Sequence, residues 1–126
     1  MEINGVLLNM TAIIGGGLLY MIYGGIYYST ILGKKKENGE TGPFKYIFSV
    51  IVAFVSSFLM SYFIGLIGAE SAAEGLLVGF IIGILITMVY YKNTLFGLLT
   101  RKSFIIAIGD HLVIFTLLGL LHGWMN

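Results

Sequence analysis

The stretch SAAEGLLVGFIIGILITMVYY, residues 71–91, decides the fold of this chain. Its only charged side chain is Glu74, near the beginning, and almost everything after it is apolar. The stretch matches the ~20 residues that a helix needs to cross a ~30 Å hydrocarbon layer. Ser71 and Glu74 have the spacing of a capping box, so the pattern predicts a membrane-spanning helix that begins just after Ser71.

Three further apolar stretches of this kind complete the pattern. We predict transmembrane helices at about residues 5–33, 44–69, 72–91 and 103–124. Helices are favoured because a membrane strand needs only ~10 residues of alternating polarity, whereas a continuous helix satisfies its own backbone in lipid. The first stretch exceeds the roughly 7–15 apolar residues of a signal peptide, so we expect it to be retained. The predicted fold class is all-α, an integral membrane bundle of four transmembrane helices in one domain, residues 1–126.

Composition excludes several classes of function. Hydrophobic residues make up 58% of the chain and charged residues 10%, against roughly 25% charged residues in a soluble domain. The net charge of +1 argues against nucleic acid as a partner, and the lipid bilayer is the expected one. The chain has no cysteine, nucleophile elbow, zinc motif, phosphate loop or dinucleotide fingerprint. We therefore expect no enzymatic activity, no metal site and no cofactor.

The basic residues predict the orientation. All seven surround the first and third predicted loops, which share one side of a four-helix bundle; they are Lys34, Lys35, Lys36, Lys45, Lys92, Arg101 and Lys102. Cytoplasmic loops are enriched in Lys and Arg. We therefore expect a multi-pass membrane protein with both termini outside the cytoplasm.

Small residues recur at intervals of four along three of the predicted helices, and such stripes let helix backbones approach closely in lipid. The positions are Gly25 and Ser29, then Ser57, Ser61 and Gly65, then Gly75, Gly79 and Gly83. One interpretation is packing of the second helix against the third, which only two residues separate, in a tight antiparallel hairpin. The other is an interface between copies of the chain, and we expect a homodimer or a higher homo-oligomer.

Asp110 and His111 are the principal candidates for function. They lie about eight residues into the fourth predicted helix, among large apolar side chains. An Asp at the centre of a membrane helix costs roughly 2.5–3.5 kcal/mol on insertion scales, so its presence needs a reason. The pair predicts a site that handles protons or cations, since His titrates near neutrality. The alternative is that both side chains bond neighbouring helices and only hold the bundle together.

Other polar residues extend this candidate pathway. Tyr20, Tyr23 and Tyr27 share a face of the first predicted helix and could form a polar wall of a cavity, or simply pack between helices. Glu70 and Glu74 could form an outer mouth for cations, although the capping box already accounts for Glu74.

Short motifs run along nearly the whole chain. They are Tyr27-Tyr28 followed by Leu32-Gly33-Lys34, the glycine-rich Glu74-Gly75 through Gly79, Asn93-Thr94-Leu95-Phe96, Gly109-Asp110-His111-Leu112-Val113, and Gly123-Trp124. With these motifs the chain resembles a family of small four-helix bacterial membrane proteins, domain of unknown function 1761. The resemblance implies the architecture and a bacterial inner membrane as the location, and it implies no established activity. Asp110 stands where the family pattern leads us to expect Tyr, and Tyr27 where Trp is usual, which makes His111 the stronger candidate for a shared role.

The leading hypothesis for function is a small homo-oligomeric channel or transporter with a polar pathway near Asp110 and His111. The alternative is a structural or accessory protein that binds another membrane protein or lipid and transports nothing. A water-filled cavity that reaches Asp110 would favour transport, and a dry, tightly packed bundle would favour the accessory role.

Overall fold

The computed structural model describes residues 2–32 and 43–126. Its helices are α1 (Met10–Leu32), α2 (Phe44–Ile67), α3 (Ala72–Leu95) and α4 (Arg101–Met125), preceded by the short strands β1 (Glu2–Ile3) and β2 (Val6–Leu7). All four helices are long and apolar enough to cross a membrane. The predicted all-α fold class of four transmembrane helices is confirmed. Lys34, Lys35, Lys36 and Gly33 lie outside the described residues.

The first helix begins later than predicted. Residues 2–7 form a small antiparallel hairpin in which Glu2 pairs with Leu7. Asn4 and Gly5 connect its strands with φ of 52° and 80°, and Asn-Gly is the pair that a two-residue hairpin turn favours because both positions need positive φ. The helical start predicted at residue 5 was wrong because this turn chemistry takes precedence over the apolar pattern.

Capping groups fix the true ends of the helices. The Asn9 side chain accepts a hydrogen bond from Ala12 N at 3.1 Å, at the start of α1. Ser71 Oγ accepts one from Glu74 N at 3.1 Å, so the predicted cap of α3 is confirmed. The Glu74 carboxylate bonds Glu70 N at 2.8 Å, one residue before the partner that a standard capping box would give it.

The helices do not pair in the order that the sequence suggested. Helix α4 contacts the other three and packs most extensively on α3, and α1 packs mainly on α2. Helices α2 and α3 make little contact despite their short connection. The predicted tight packing of the second helix on the third was therefore wrong.

Glycine explains why α3 prefers α4. A Cβ added at Gly75 would collide with the Gly119 carbonyl oxygen, and one added at Gly79 would collide with that of Phe115. A Cβ added at Gly83 would first meet the Leu112 side chain. All three α3 positions are buried, and at Gly75 and Gly79 the backbones approach too closely for any side chain. The stripe predicted on α3 is a helix interface within one chain.

The other two stripes have different fates. On α2, Ser57 and Ser61 are buried, and Gly65 lies against Val6 of the hairpin. On α1, Gly25 and Ser29 are exposed, and a Cβ added at Gly25 would meet nothing within 4 Å. The α1 stripe is the one that the single chain leaves uncovered.

An apolar layer forms the middle of the bundle. Ile64 of α2 and Leu118 of α4 are almost completely buried and belong to one cluster with Met60. Ile114, one helical turn before Leu118, is also fully buried. This layer separates two polar regions of α4, one around Asp110 and the other around His122.

Candidate functional site

Asp110 is buried in the first half of α4. It follows the first residue of the helix, Arg101, by nine positions, about 13 Å along the axis. Its side chain is only 7% exposed. The Tyr28 hydroxyl of α1 donates a hydrogen bond of 2.6 Å to Asp110 Oδ2. The other oxygen, Oδ1, is the one buried side-chain polar atom without a hydrogen bond in the described ranges, residues 2–32 and 43–126.

His111 lies beside Asp110 on the side of α3. Its Nδ1 is 3.7 Å from Asp110 Oδ2, which is too long for a hydrogen bond but close enough for an ion pair when the ring is protonated. On its other side, Nε2 is 3.4 Å from the Tyr90 hydroxyl. The Tyr90 and His111 rings are 5.4 Å apart. Although adjacent helix positions point about 100° apart, the His111 ring lies close to the Asp110 carboxylate.

The predicted tyrosine face is turned towards α4. The hydroxyl of Tyr23 donates to the Gly109 carbonyl at 2.7 Å, and that of Tyr27 donates to the Ile106 carbonyl at 2.8 Å. Their rings stack at 5.7 Å. Gly109 has no room for a side chain because the Tyr27 hydroxyl occupies the position that a Cβ would take. These tyrosines hold α1 against the backbone of α4, next to Asp110.

Sequence reasoning missed the tyrosine that bonds Asp110. It included Tyr20, Tyr23 and Tyr27 in the candidate pathway but not Tyr28. Tyr20 packs edge-on against Phe115, with the rings 6.1 Å apart. Tyr28 follows Tyr20 by eight residues, slightly more than two helical turns, so the two share a face. That spacing was the feature of the sequence that could have identified Tyr28.

Glu70 and Glu74 are not brought together with Asp110. Both are exposed at the connection between α2 and α3, where Glu74 serves the cap of α3. Gly75, next to Glu74, packs on Gly123 near the end of α4, far along that helix from Asp110. The structure therefore places Glu70 and Glu74, the residues of the predicted mouth, apart from Asp110.

A second buried polar pair lies near the end of α4. Ser57 Oγ donates to the Ile13 carbonyl at 2.8 Å and lies 2.9 Å from His122 Nε2. Since a hydroxyl has one hydrogen, His122 donates to Ser57 through a protonated Nε2 in this arrangement. His122 is 2% exposed and Ser57 fully buried. Gly16 makes the space, because a Cβ there would collide with Ser57 Oγ.

Buried apolar side chains separate the two polar regions along α4. His122 follows Asp110 by twelve residues, about 18 Å along α4, and the buried Ile114 and Leu118 lie between them. An open groove of about 400 Å³ occurs at the end of the bundle that holds both termini. It is lined by Leu7, Leu8, Asn9, Met10, Met125 and Asn126. No group of three or more His, Cys, Asp or Glu side chains suited to a metal ion occurs in the described part of the chain.

Comparison with known proteins identifies the family. A family model described as "Protein of unknown function (DUF1761)" matches residues 11–123. No curated protein and no solved structure is significantly similar to the chain. Since the match covers almost the whole sequence, the chain belongs to this family of unknown function, as its motifs indicated.

Proposed function

We propose that this member of the family is a small proton transporter of the membrane, and that Asp110 is the group that takes up and releases the proton. The observation that carries the proposal is the Asp110 carboxyl group, which is buried with Oδ1 unpartnered. A buried polar atom without a partner costs roughly 1–3 kcal/mol, and polar groups at this depth in a membrane commonly serve transport. A proton on Oδ1 would neutralise the carboxylate and so lower the cost of burying it.

The neighbours of Asp110 favour a proton over a larger ion. Tyr28, Asp110, His111 and Tyr90 form a row of groups that can each hold or pass a proton, from α1 across α4 to α3. A metal ion would need several oxygen ligands, six or more for Ca²⁺ or Mg²⁺. Within the described chain the contacts of Asp110 offer one hydroxyl and one imidazole.

The apolar layer argues for a transporter rather than an open channel within one chain. Ile114 and Leu118 block the way along α4 from Asp110 towards His122. Passage therefore requires a rearrangement, and the α1–α4 contact is suited to it. Its hydroxyl–carbonyl bonds from Tyr23 and Tyr27 can exchange partners, whereas the glycine contact between α3 and α4 cannot open without loss of packing.

We further propose that the working unit is a homo-oligomer with both termini outside the cytoplasm of a bacterial cell. The exposed Gly25 and Ser29 of α1 supply a surface on which a second copy could pack closely. The basic residues around both ends of the α3–α4 connection support the orientation. A cysteine introduced at Asn93 should react only with reagents on the cytoplasmic side, and one at Asn126 only from outside. Labelling of Asn93 from outside would contradict this orientation.

Proton flux into liposomes under a pH gradient tests the function. Wild-type protein should move protons, and Asp110→Asn should abolish the flux while it preserves shape and oligomeric state. His111→Ala should change the pH dependence of the flux, because it removes the imidazole that lies 3.7 Å from the Asp110 carboxylate. Glu74→Gln is the matched control, since it neutralises an exposed carboxylate away from the site and should leave the flux unchanged.

The alternative is an accessory protein without transport, and the close packing favours it. The hydroxyls of Tyr23, Tyr27 and Tyr28 are all engaged in hydrogen bonds that join α1 to α4. In that case Asp110→Leu should leave the bundle at least as stable, because it removes a polar group from lipid. Wild-type protein that moves no protons, together with a stable Asp110→Leu variant, would exclude the transporter and support the accessory role.

A further inference from the structure

The connection between α3 and α4 carries an exposed apolar tip, formed by Leu95, Phe96 and Leu98. Phe96 is 77% exposed and Leu98 75%, the highest values among the large apolar side chains that the structure describes. Large apolar groups left in water are unfavourable. Because α3 and α4 both span the membrane, the tip lies where the helices leave it.

The tip has a defined shape. Phe96 N bonds the Lys92 carbonyl at 3.1 Å, Gly97 N that of Thr94 at 3.0 Å, and Leu98 N that of Asn93 at 2.9 Å. Gly97 has a φ of 81°, a conformation that favours glycine. The backbone therefore presents the apolar side chains in a preformed turn rather than in a loose loop.

Three basic side chains lie at the ends of α3 and α4 that flank this tip. Lys92, Arg101 and Lys102 are exposed, and none of them forms an ion pair with an acidic side chain in the described part of the chain. The first turn of α4 contains no acidic residue. The surface combines exposed apolar groups with unpaired positive charge, and this combination matches one partner, an anionic phospholipid, whose acyl chains and phosphate are the complementary groups.

We propose that the apolar tip and its three basic side chains are a docking surface for anionic phospholipids of the leaflet at this end of the bundle. Leu95, Phe96 and Leu98 enter the interface between headgroups and acyl chains, and Lys92, Arg101 and Lys102 contact the phosphates. The surface is independent of Asp110, so it holds whether or not the protein moves protons.

Lipid retention by the full chain in detergent tests the charged part. Wild-type protein should retain phosphatidylglycerol in preference to phosphatidylcholine, measured by native mass spectrometry. Each basic side chain near an anionic surface contributes roughly fivefold to binding. The combined Lys92→Gln, Arg101→Gln and Lys102→Gln variant should therefore lose about a hundredfold of its phosphatidylglycerol binding.

Lys45→Gln is the control for this test, since it removes one charge near the start of α2, away from the tip, and should cost no more than the roughly fivefold of a single basic side chain. Inorganic phosphate at millimolar concentration should not displace the lipid. Equal retention of both lipids by the wild type, or unchanged retention in the triple variant, would overturn the proposal. Displacement by phosphate would overturn it too, because it would indicate a site for a free ion.

A second variant tests the apolar part without removing charge. Phe96→Trp combined with Trp124→Phe leaves one tryptophan in the chain, at the tip. In vesicles of phosphatidylglycerol brominated on the acyl chains, its fluorescence should be quenched strongly. Fluorescence that a water-soluble quencher suppresses instead would show the tip in water and would contradict the docking surface.

Discussion

Helix α4 is bound by two faces of opposite chemistry. Towards α3 it presents glycine, and the Gly75 and Gly79 backbones lie against its carbonyl groups. Towards α1 it meets tyrosine, and Tyr23 and Tyr27 reach its carbonyl groups through long side chains with terminal hydroxyls. The comparison shows that the glycine face fixes the distance between two backbones, while the tyrosine face holds polar atoms where they can exchange partners. Asp110 is bonded from the tyrosine face.

The largest expected effect is on the glycine face. Gly79→Ala places a methyl group against the Phe115 backbone carbonyl and should lower the free energy of unfolding by about 1–3 kcal/mol, as overpacking does. Gly25→Ala is the matched control, because its methyl group meets nothing. It should raise the same quantity by up to about 1 kcal/mol through helix propensity. Unfolding in mixed micelles by a denaturing detergent measures both.

Effects of equal size and sign at these two positions would break the comparison. They would show that the α3 and α4 backbones are farther apart at Gly79 and Phe115 than the structure has them. Gly79→Leu should be more severe than Gly79→Ala and should prevent correct folding.

The next effect separates the tyrosines from one another. Tyr28→Phe leaves the buried Asp110 carboxyl without any hydrogen bond and should cost about 1.5–3 kcal/mol, the range for a bond to a charged group. Tyr23→Phe removes a bond to the Gly109 carbonyl and should cost about 0.5–1.5 kcal/mol. The same unfolding measurement distinguishes them. A larger cost for Tyr23→Phe would place the important contact on the backbone rather than on Asp110.

The fold could be predicted from the sequence to a large extent because lipid imposes strong constraints. Long apolar stretches and a cap such as Ser71 specify helices without reference to the rest of the chain. Partner choice was not predictable in this way. The stripe on α3 showed that something packs closely there, but it did not show that the partner was α4, because Gly119 and Gly123 lie more than thirty residues away in sequence.

The candidate site was predicted only in part, because the sequence shows which residues are polar but not which helices bring them together. Asp110 and His111 are conspicuous as polar residues in an apolar stretch. Tyr28 was missed because a tyrosine near the end of a membrane helix can lie at the membrane boundary or form a hydrogen bond inside the bundle. Only the tertiary contact with Asp110 decides between these two explanations. His122 and Ser57 were also missed as a pair, since the sequence gives no signal that α2 and α4 bring them to 2.9 Å.

The smallest expected effect on the fold is at the uncovered part of α1. Gly25→Leu should not lower the free energy of unfolding of one chain, because the position is open. If copies associate through α1, the larger side chain should weaken the oligomer, measured by light scattering of the protein in detergent. An oligomer that is unchanged would exclude α1 as the interface, and another lipid-facing surface would then have to form it.

The central claim is that the buried Asp110 carboxyl group exchanges a proton, and infrared difference spectroscopy tests it most directly. We expect a carboxylic acid C=O band that changes in intensity with pH, shifts on transfer to deuterated water, and disappears in Asp110→Asn. Glu74→Gln should leave this band in place. A carboxyl signal of Asp110 that neither changes with pH nor shifts in deuterated water would show a sealed structural contact with Tyr28 and would contradict the account.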